Sequence, residues 1–329
     1  MKNKLQQSKI WVGIDVSKVE LEIHSSEPIR ALPKVVPNTS VGFKGLALAL
    51  KGSASVHLVF ESTGGYEKPL FHYFAALGIA CSRLNPSHSR NFAKAKGLLA
   101  KTDKIDAFVL SEFGRQFEPT PSETNTPIID VLKEVIHYKN HLICARHREK
   151  MQLEHDKPAA IKAMIKAMIK ARIKSLDKQI EKTKQMMIDL SSQDEKFVGE
   201  ISILEQTQGV GKQTAIAIIT ALPELGIINN REITALAGLA PYNRDSGTIR
   251  GKRCIAGGRK TARDALYMAA LVGARCNPIL KEFYQRLRAN GKPFKIAITA
   301  VMRKLLTHLN ALLKRHYIAS DPVINLTVS

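Results

Sequence analysis

Four carboxylates sit where apolar segments end, and this limits the folds open to the chain. Ile10-Trp-Val-Gly-Ile14 is an apolar run closed by Asp15, and His57-Leu-Val-Phe60 is a second one closed by Glu61. Runs of this length, bounded by small or polar residues, read as buried strands. Residues 21–24 continue as extended chain, in a hairpin with the first run. The other two acids, Asp103 and Asp106, lie three apart in Lys101-Thr-Asp-Lys-Ile-Asp106, at the start of a helix read over residues 107–116. That spacing puts both on one helical face. Further helices are expected at 45–51 and 68–77, with another strand at 79–84. Strands alternating with helices give an α/β layer, in which acids at the ends of neighbouring strands converge.

Four carboxylates gathered in one place repel one another strongly unless cations are bound. Such oxygen ligands suit Mg²⁺. Two ions roughly 4 Å apart, bridged by an acid, would activate an attacking oxygen and stabilise a leaving one in phosphoryl transfer. Taken singly, each acid has a plainer reading: Asp103 can cap a helix, and Asp15 or Glu61 can simply end a strand. Lys101 and Lys104 flank the helical pair and are candidates for phosphate contact.

Charge narrows the class of partner. The 329 residues carry 50 Lys and Arg against 29 Asp and Glu, a net charge of +21. A surplus of that size points to a polyanion, with nucleic acid ahead of an anionic membrane. Residues 1–115 hold 16 basic and 9 acidic side chains, 116–200 hold 15 and 13, and 201–329 hold 19 and 7. The tightest grip on phosphates is therefore expected in the last third. Cys81, Cys144, Cys254 and Cys276 show no CxxC spacing and no paired histidines, so neither a zinc site nor a secreted disulfide framework is expected. No apolar run is read as long enough to span a membrane, and Asp15 interrupts the apolar run near the N-terminus. The expectation is a cytoplasmic protein without membrane contact.

Residues 119–127, rich in Pro, Thr and Ser, read as a linker. Residues 128–153 show helical spacing, which Pro158 breaks. From Ile161 a near-repeat of Ile-Lys-Ala-Met sets Ile161, Ile165, Ile169, Ile173, Leu176 and Ile180 in one stripe, beside Lys162, Lys166, Lys170 and Lys174. The stripe reads as a helix-packing surface, although its steps of four are not a clean heptad. In the last third, Leu204-Glu-Gln-Thr-Gln-Gly-Val-Gly211-Lys212 reads as helix, turn, helix. This helix-hairpin-helix pattern would offer phosphate contacts at Gly209, Gly211 and Lys212, or serve only as a glycine turn between packed helices. Beyond it Ser246 stands before a glycine in a stretch crowded with Arg244, Arg250, Lys252, Arg253, Arg259, Lys260 and Arg263. Ser246 either hydrogen-bonds a phosphate or attacks one, with Arg244, Arg250 and Arg253 stabilising the charge that develops.

Gly13-Ile-Asp15-Val-Ser-Lys18, Glu61-Ser-Thr-Gly-Gly-Tyr66 and Lys101-Thr-Asp-Lys-Ile-Asp-Ala107 together resemble the DEDD signature of RuvC-like, RNase H-fold transposases. The match is to insertion-sequence family 110, in its 1111, Piv-like subgroup. The stretch from Ala237 to Met268, with Arg263-Asp-Ala-Leu-Tyr-Met268, is similar to the transposase domain of the same family. The resemblance implies an α/β RNase H-like (RuvC-like) domain over 1–118, an α-helical coiled-coil connector over 119–200 and a mainly α transposase domain with a helix-hairpin-helix over 201–329. It implies a DNA recombinase that moves an insertion sequence. Asp15, Glu61, Asp103 and Asp106 would hold two Mg²⁺, and Ser246 would attack a DNA phosphodiester in a composite site, giving phosphoserine intermediates. Thr248 is a second hydroxyl close by. The implied partners are donor and target DNA, a guide (bridge) RNA encoded by the element, and further copies of the chain in a dimer to tetramer. Two other readings stay open: a junction endonuclease that uses the acids without Ser246, and a non-catalytic nucleic-acid-binding protein.

Overall fold

β1 (Ile10–Val16) is the middle strand of a five-stranded sheet, and Asp15 is its one residue that is not fully buried. It pairs antiparallel with β2 (Glu20–Ser25), which pairs antiparallel with β3 (Val35–Pro37). On its other side it pairs parallel with β4 (Val56–Glu61), and β4 pairs parallel with β5 (Ala80–Leu84). Parallel neighbours need crossover connections. α1 (Ser40–Leu50) and α2 (Lys68–Ala76) lie in those crossovers, and α3 (Pro86–Ala95) and α4 (Asp103–Phe117) follow β5. The computed structural model describes residues 9–53, 55–98, 102–122, 126–154, 159–242 and 254–320. The chain divides into two compact units, residues 1–124 and 125–329.

Side chains alternate across a strand. Val12, Ile14, Leu58 and Phe60 face a core shared with Leu46, Phe71 and Phe74 of α1 and α2. Trp11, Val59 and Leu84 share the other core with Leu110 of α4. Trp11, Gly13 and Asp15 therefore form the β1 row that meets α4. A Cβ on Gly13 would collide with the backbone oxygen of Ala107, and one on Gly114 would lie 2.8 Å from the Trp11 ring. The strand and the helix approach backbone to backbone, which only glycine at these points allows.

Three expectations change here. The helix expected from 107 begins at Asp103, with Thr102 as N-cap accepting from the Ile105 amide at 3.4 Å. β3 is an added edge strand. Residues 119–122, expected as a loose linker, run along β5: Ser82 Oγ donates to the Thr120 carbonyl (2.7 Å), the Ser122 amide donates to the Cys81 carbonyl (2.8 Å), and Ser122 Oγ accepts from the Arg83 amide (2.9 Å).

In the second unit, α5 (Pro127–Glu154) and α6 (Ala159–Ser191) pack antiparallel, tied by Arg146–Asp177 at 2.8 Å and Glu149–Arg172 at 2.9 Å. Ile169 and Ile180 of the apolar stripe are buried, while Lys170 and Lys174 are exposed. Leu132, Ile136 and Met187 join one core with α7 (Glu195–Glu205) and α8 (Lys212–Ala221), so this helix pair shares its core with the rest of the unit. α9 (Asn230–Leu236), a short ribbon of β6 (Pro241–Tyr242) and β7 (Cys254–Ile255), α10 (Lys260–Cys276), α11 (Pro278–Ala289) and α12 (Phe294–Ser320) complete it. α12 is long and apolar enough to cross a membrane, contrary to expectation. Its apolar face, from Ala297 and Ile298 through Val301, Leu305 and Leu309 to Leu313, is instead buried in the protein core.

Candidate metal centre

Because β1 and β4 are parallel and Ile14 pairs with Phe60, Asp15 and Glu61 stand at the same level at the ends of adjacent strands. α4 crosses β1 with its numbering reversed, so Gly114 lies over Trp11, Ala107 over Gly13, and the first turn reaches Asp15. That turn carries Asp103 and Asp106. Its free backbone N–H groups make an acidic first turn favourable. The result is a cluster in which one carboxylate oxygen from each of Asp15, Asp103 and Asp106 lies within 4.8 Å of the others. Among the described residues it is the one group of three or more acids, histidines or cysteines close enough to share an ion.

The cluster is strained electrostatically. Burial, then the charges of Asp106, Asp103 and Glu61, push the Asp15 carboxyl up from 3.8 to about 6. Three oxygen donors that repel one another in this way are the set a hard divalent cation would relieve, which fits Mg²⁺ or Mn²⁺. Asp15 and Asp106, half-buried, and Asp103, exposed, would be its ligands. The four acids line one cavity of about 620 Å³. Glu61 stands apart from the closest three, and accepts a short hydrogen bond from Ser89 of α3.

The loop after Glu61 is folded by a residue that the sequence did not single out. The buried Glu67 carboxylate accepts from the amides of Thr63 (3.1 Å) and Gly65 (3.0 Å), while Gly64 and Gly65 take positive φ. Asn38 Nδ2 donates to the Ser17 carbonyl at 2.8 Å and to the Tyr66 carbonyl at 3.1 Å, joining the loops that follow both acid-bearing strands. Ser89 and Asn38 act through tertiary contacts, and Glu67 through contacts within its own loop. No periodicity or spacing marks them.

The basic residues expected to touch nucleic acid fall into different settings. Lys104 is exposed on α4, and Lys101 lies outside the described residues. Gly211 is the N-cap of α8, with Lys212 exposed beside it, but Gly209 packs against α10, where a Cβ would lie 2.8 Å from the Gly273 backbone. Arg259 forks onto Glu224, 2.6 Å to each oxygen, and also donates to the Ala221 carbonyl. Lys260 pairs with Asp264 at 2.5 Å, and Arg263 donates to the Gly257 carbonyl at 2.6 Å. Arg244, Ser246, Thr248, Arg250, Lys252 and Arg253 lie outside the described residues.

A family model described as "Transposase", for the DEDD domain of the IS110 type, matches residues 12–155 and so spans all four acids. A second, described as "Transposase IS116/IS110/IS902 family", matches residues 201–285. The chain belongs to the IS110 family of transposases. It is similar to the pilin gene-inverting protein of Moraxella bovis, at 27% identity over 321 residues, covering 94% of this chain and 97% of that protein. Over 118 residues it is 36% identical to the insertion element IS900 uncharacterized 42 kDa protein of Mycobacterium paratuberculosis, covering 30% of this chain and 29% of that one. This transposase is therefore an enzyme that cleaves and rejoins DNA. Its DEDD domain implies an RNase H-like fold, consistent with the mixed five-stranded sheet, and the use of a divalent metal.

Proposed function

We propose that this transposase cuts and rejoins the DNA of an insertion sequence with its four acids holding Mg²⁺, two ions per site, and Ser246 as nucleophile. The observation that carries the reading is the meeting of Asp15, Asp103 and Asp106 within 4.8 Å in a cavity also lined by Glu61. When bound, the ions supply charge for the attacking and leaving oxygens of a phosphodiester. The chain's own part is to hold the acids in register through β1, β4 and α4, with Ser89 fixing Glu61. Ser246 Oγ attacks a DNA phosphorus as its proton is lost, and the P–O bond to one neighbouring sugar breaks. The departing sugar oxygen takes up a proton to become a free hydroxyl, leaving the other strand end esterified to the serine. Attack by a hydroxyl of the other DNA reverses the exchange and frees Ser246. The serine role is supported by the resemblance of residues 237–268 to the family's transposase domain. From the resemblance of nearly the whole chain to that family we assign donor and target DNA as substrates, a guide RNA encoded by the element and assembly of two to four copies. From the pattern of residues 204–212 we assign a helix-hairpin-helix around Gly209 and Gly211.

A trapping gel tests this. The protein, Mg²⁺, the DNA of the joined element ends and the adjoining transcript are incubated, then denatured. The expected result is a protein–DNA adduct that Ser246→Ala and Asp106→Ala each abolish. Cleavage that persists in Ser246→Ala without any adduct would establish hydrolysis by the acids alone.

A further inference from the structure

α3 carries a basic pair that the family signature does not include. Asn85 caps the helix by accepting from the Ser87 amide at 3.0 Å, and Pro86 starts it. Two contacts then fix its rotation. Ser89 is buried and donates to Glu61, and Phe92 packs edge-on against Phe113 and Phe117 of α4, with ring centres 5.5 and 5.6 Å apart. With 89 and 92 held inward, Arg90 and Lys94, one turn apart, are both set on the cavity that holds the four acids.

These two cations differ from the third on the same helical stretch. Lys96 is committed to Glu112 at 2.7 Å. Arg90 and Lys94 are exposed, and among the described residues neither forms an ion pair. Two unpaired positive groups that line the same cavity as a carboxylate cluster suit an anion lying between them, its reacting atom toward the acids and its flanking charge toward α3.

We infer that Arg90 and Lys94 are positioning residues that hold the backbone phosphates of a DNA strand beside the carboxylate cluster. The inference rests on the acids being the cleavage site, and it assigns the strand's entry side to α3. A guanidinium can take a phosphate with two N–H donors and the lysine ammonium adds a point charge, so the pair grips the backbone without reading its sequence.

The test is DNA binding by the full chain, followed by fluorescence anisotropy of a labelled duplex at fixed Ca²⁺ over a range of NaCl. Arg90→Gln with Lys94→Gln is compared with Lys51→Gln, a control that removes one exposed charge from the end of α1. Removing one cation that neutralises a phosphate lowers the slope of log affinity against log salt by up to about 0.9. The double variant is expected to lose nearly two such steps, with Arg90→Lys regaining one, while Lys51→Gln keeps the wild-type slope. Mn²⁺ binding, read by the loss of free-ion signal in electron paramagnetic resonance, is expected to be unchanged in the double variant. A double variant with the wild-type slope would overturn the cradle, and so would one that loses slope only together with Mn²⁺ binding. Failure of the wild type itself to bind Mn²⁺ would instead remove the metal reading, so the two failures are distinguishable.

Discussion

Gly13 of β1 lies against the backbone carbonyl of Ala107 of α4, in the space a Cβ would need. This contact sets the separation of strand and helix two residues before Asp15 and one residue after Asp106. It makes glycine at position 13 part of the metal centre's architecture. Gly13→Ala should therefore force the helix off the strand, costing about 1–3 kcal/mol as an overpacked contact. Gly45 in α1 has open space around its Cβ position. Gly45→Ala should stabilise the chain by about 0.5–1 kcal/mol. Denaturant unfolding of both variants checks the pair, and equal effects would contradict the close-approach argument.

The Asp15 carboxyl gives the metal-free protein a defined pH response. Its folded value of about 6 lies above the ordinary 3.8, so the folded chain holds this proton more tightly than the unfolded one. The stabilising contribution is fully present below 3.8 and is lost as pH rises through about 6. In EDTA, wild-type melting temperature should fall across that window relative to Asp15→Asn, which has no such group. Divalent cations should reverse the trend, because their ligands must be deprotonated to bind. Thermal unfolding with and without Mn²⁺ reads both effects; matching pH profiles for wild type and variant would count against the cluster.

Arg259 and Lys260 are adjacent in sequence and should behave differently. Burial raises the Glu224 carboxyl, but the Arg259 fork outweighs it and holds the group below its usual range. Arg259→Ala leaves that half-buried acid unpaired and should cost about 1–3 kcal/mol. Lys260→Ala removes an exposed pair and should stay within about 0.5 kcal/mol. Chemical denaturation of the full chain separates them.

Glu67→Ala removes the acceptor for the Thr63 and Gly65 amides and should cost about 1–3 kcal/mol. It should also loosen the loop that follows Glu61. Limited proteolysis reports the loosening, with new cleavage expected between Ser62 and Tyr66. An unchanged digest would show that the loop is held by other contacts.

The strands and their terminal acids were legible because an apolar run stopped by a carboxylate is a local pattern. The start of α4 was placed four residues late for the same reason: Thr102, Asp103, Lys104 and Asp106 carry no apolar periodicity, and only the Thr102 cap marks the turn. The face of α4 that Gly13 receives could not be read, since a glycine inside a strand does not say what approaches it. Ser89 owes its place to a contact with a residue distant in sequence, Arg90 and Lys94 to how α3 is rotated, and Glu67 to a loop that folds back on it within four residues, which carries no periodicity. The run of α12, by contrast, carries an apolar pattern that composition cannot distinguish from a membrane span until the packing of its inner face is known.

Asp15, Asp103 and Asp106 are expected to act together as one divalent-cation site. The most direct measurement is a titration of the purified chain with Mn²⁺, followed by electron paramagnetic resonance, for wild type, Asp15→Asn, Asp106→Asn and Lys104→Gln. The account predicts saturable binding by the wild type and by Lys104→Gln, and at least tenfold weaker binding by either Asp variant, about 1.4 kcal/mol or more per lost ligand charge. Wild-type protein that leaves the Mn²⁺ signal free, or Asp variants that bind as tightly as wild type, would contradict it.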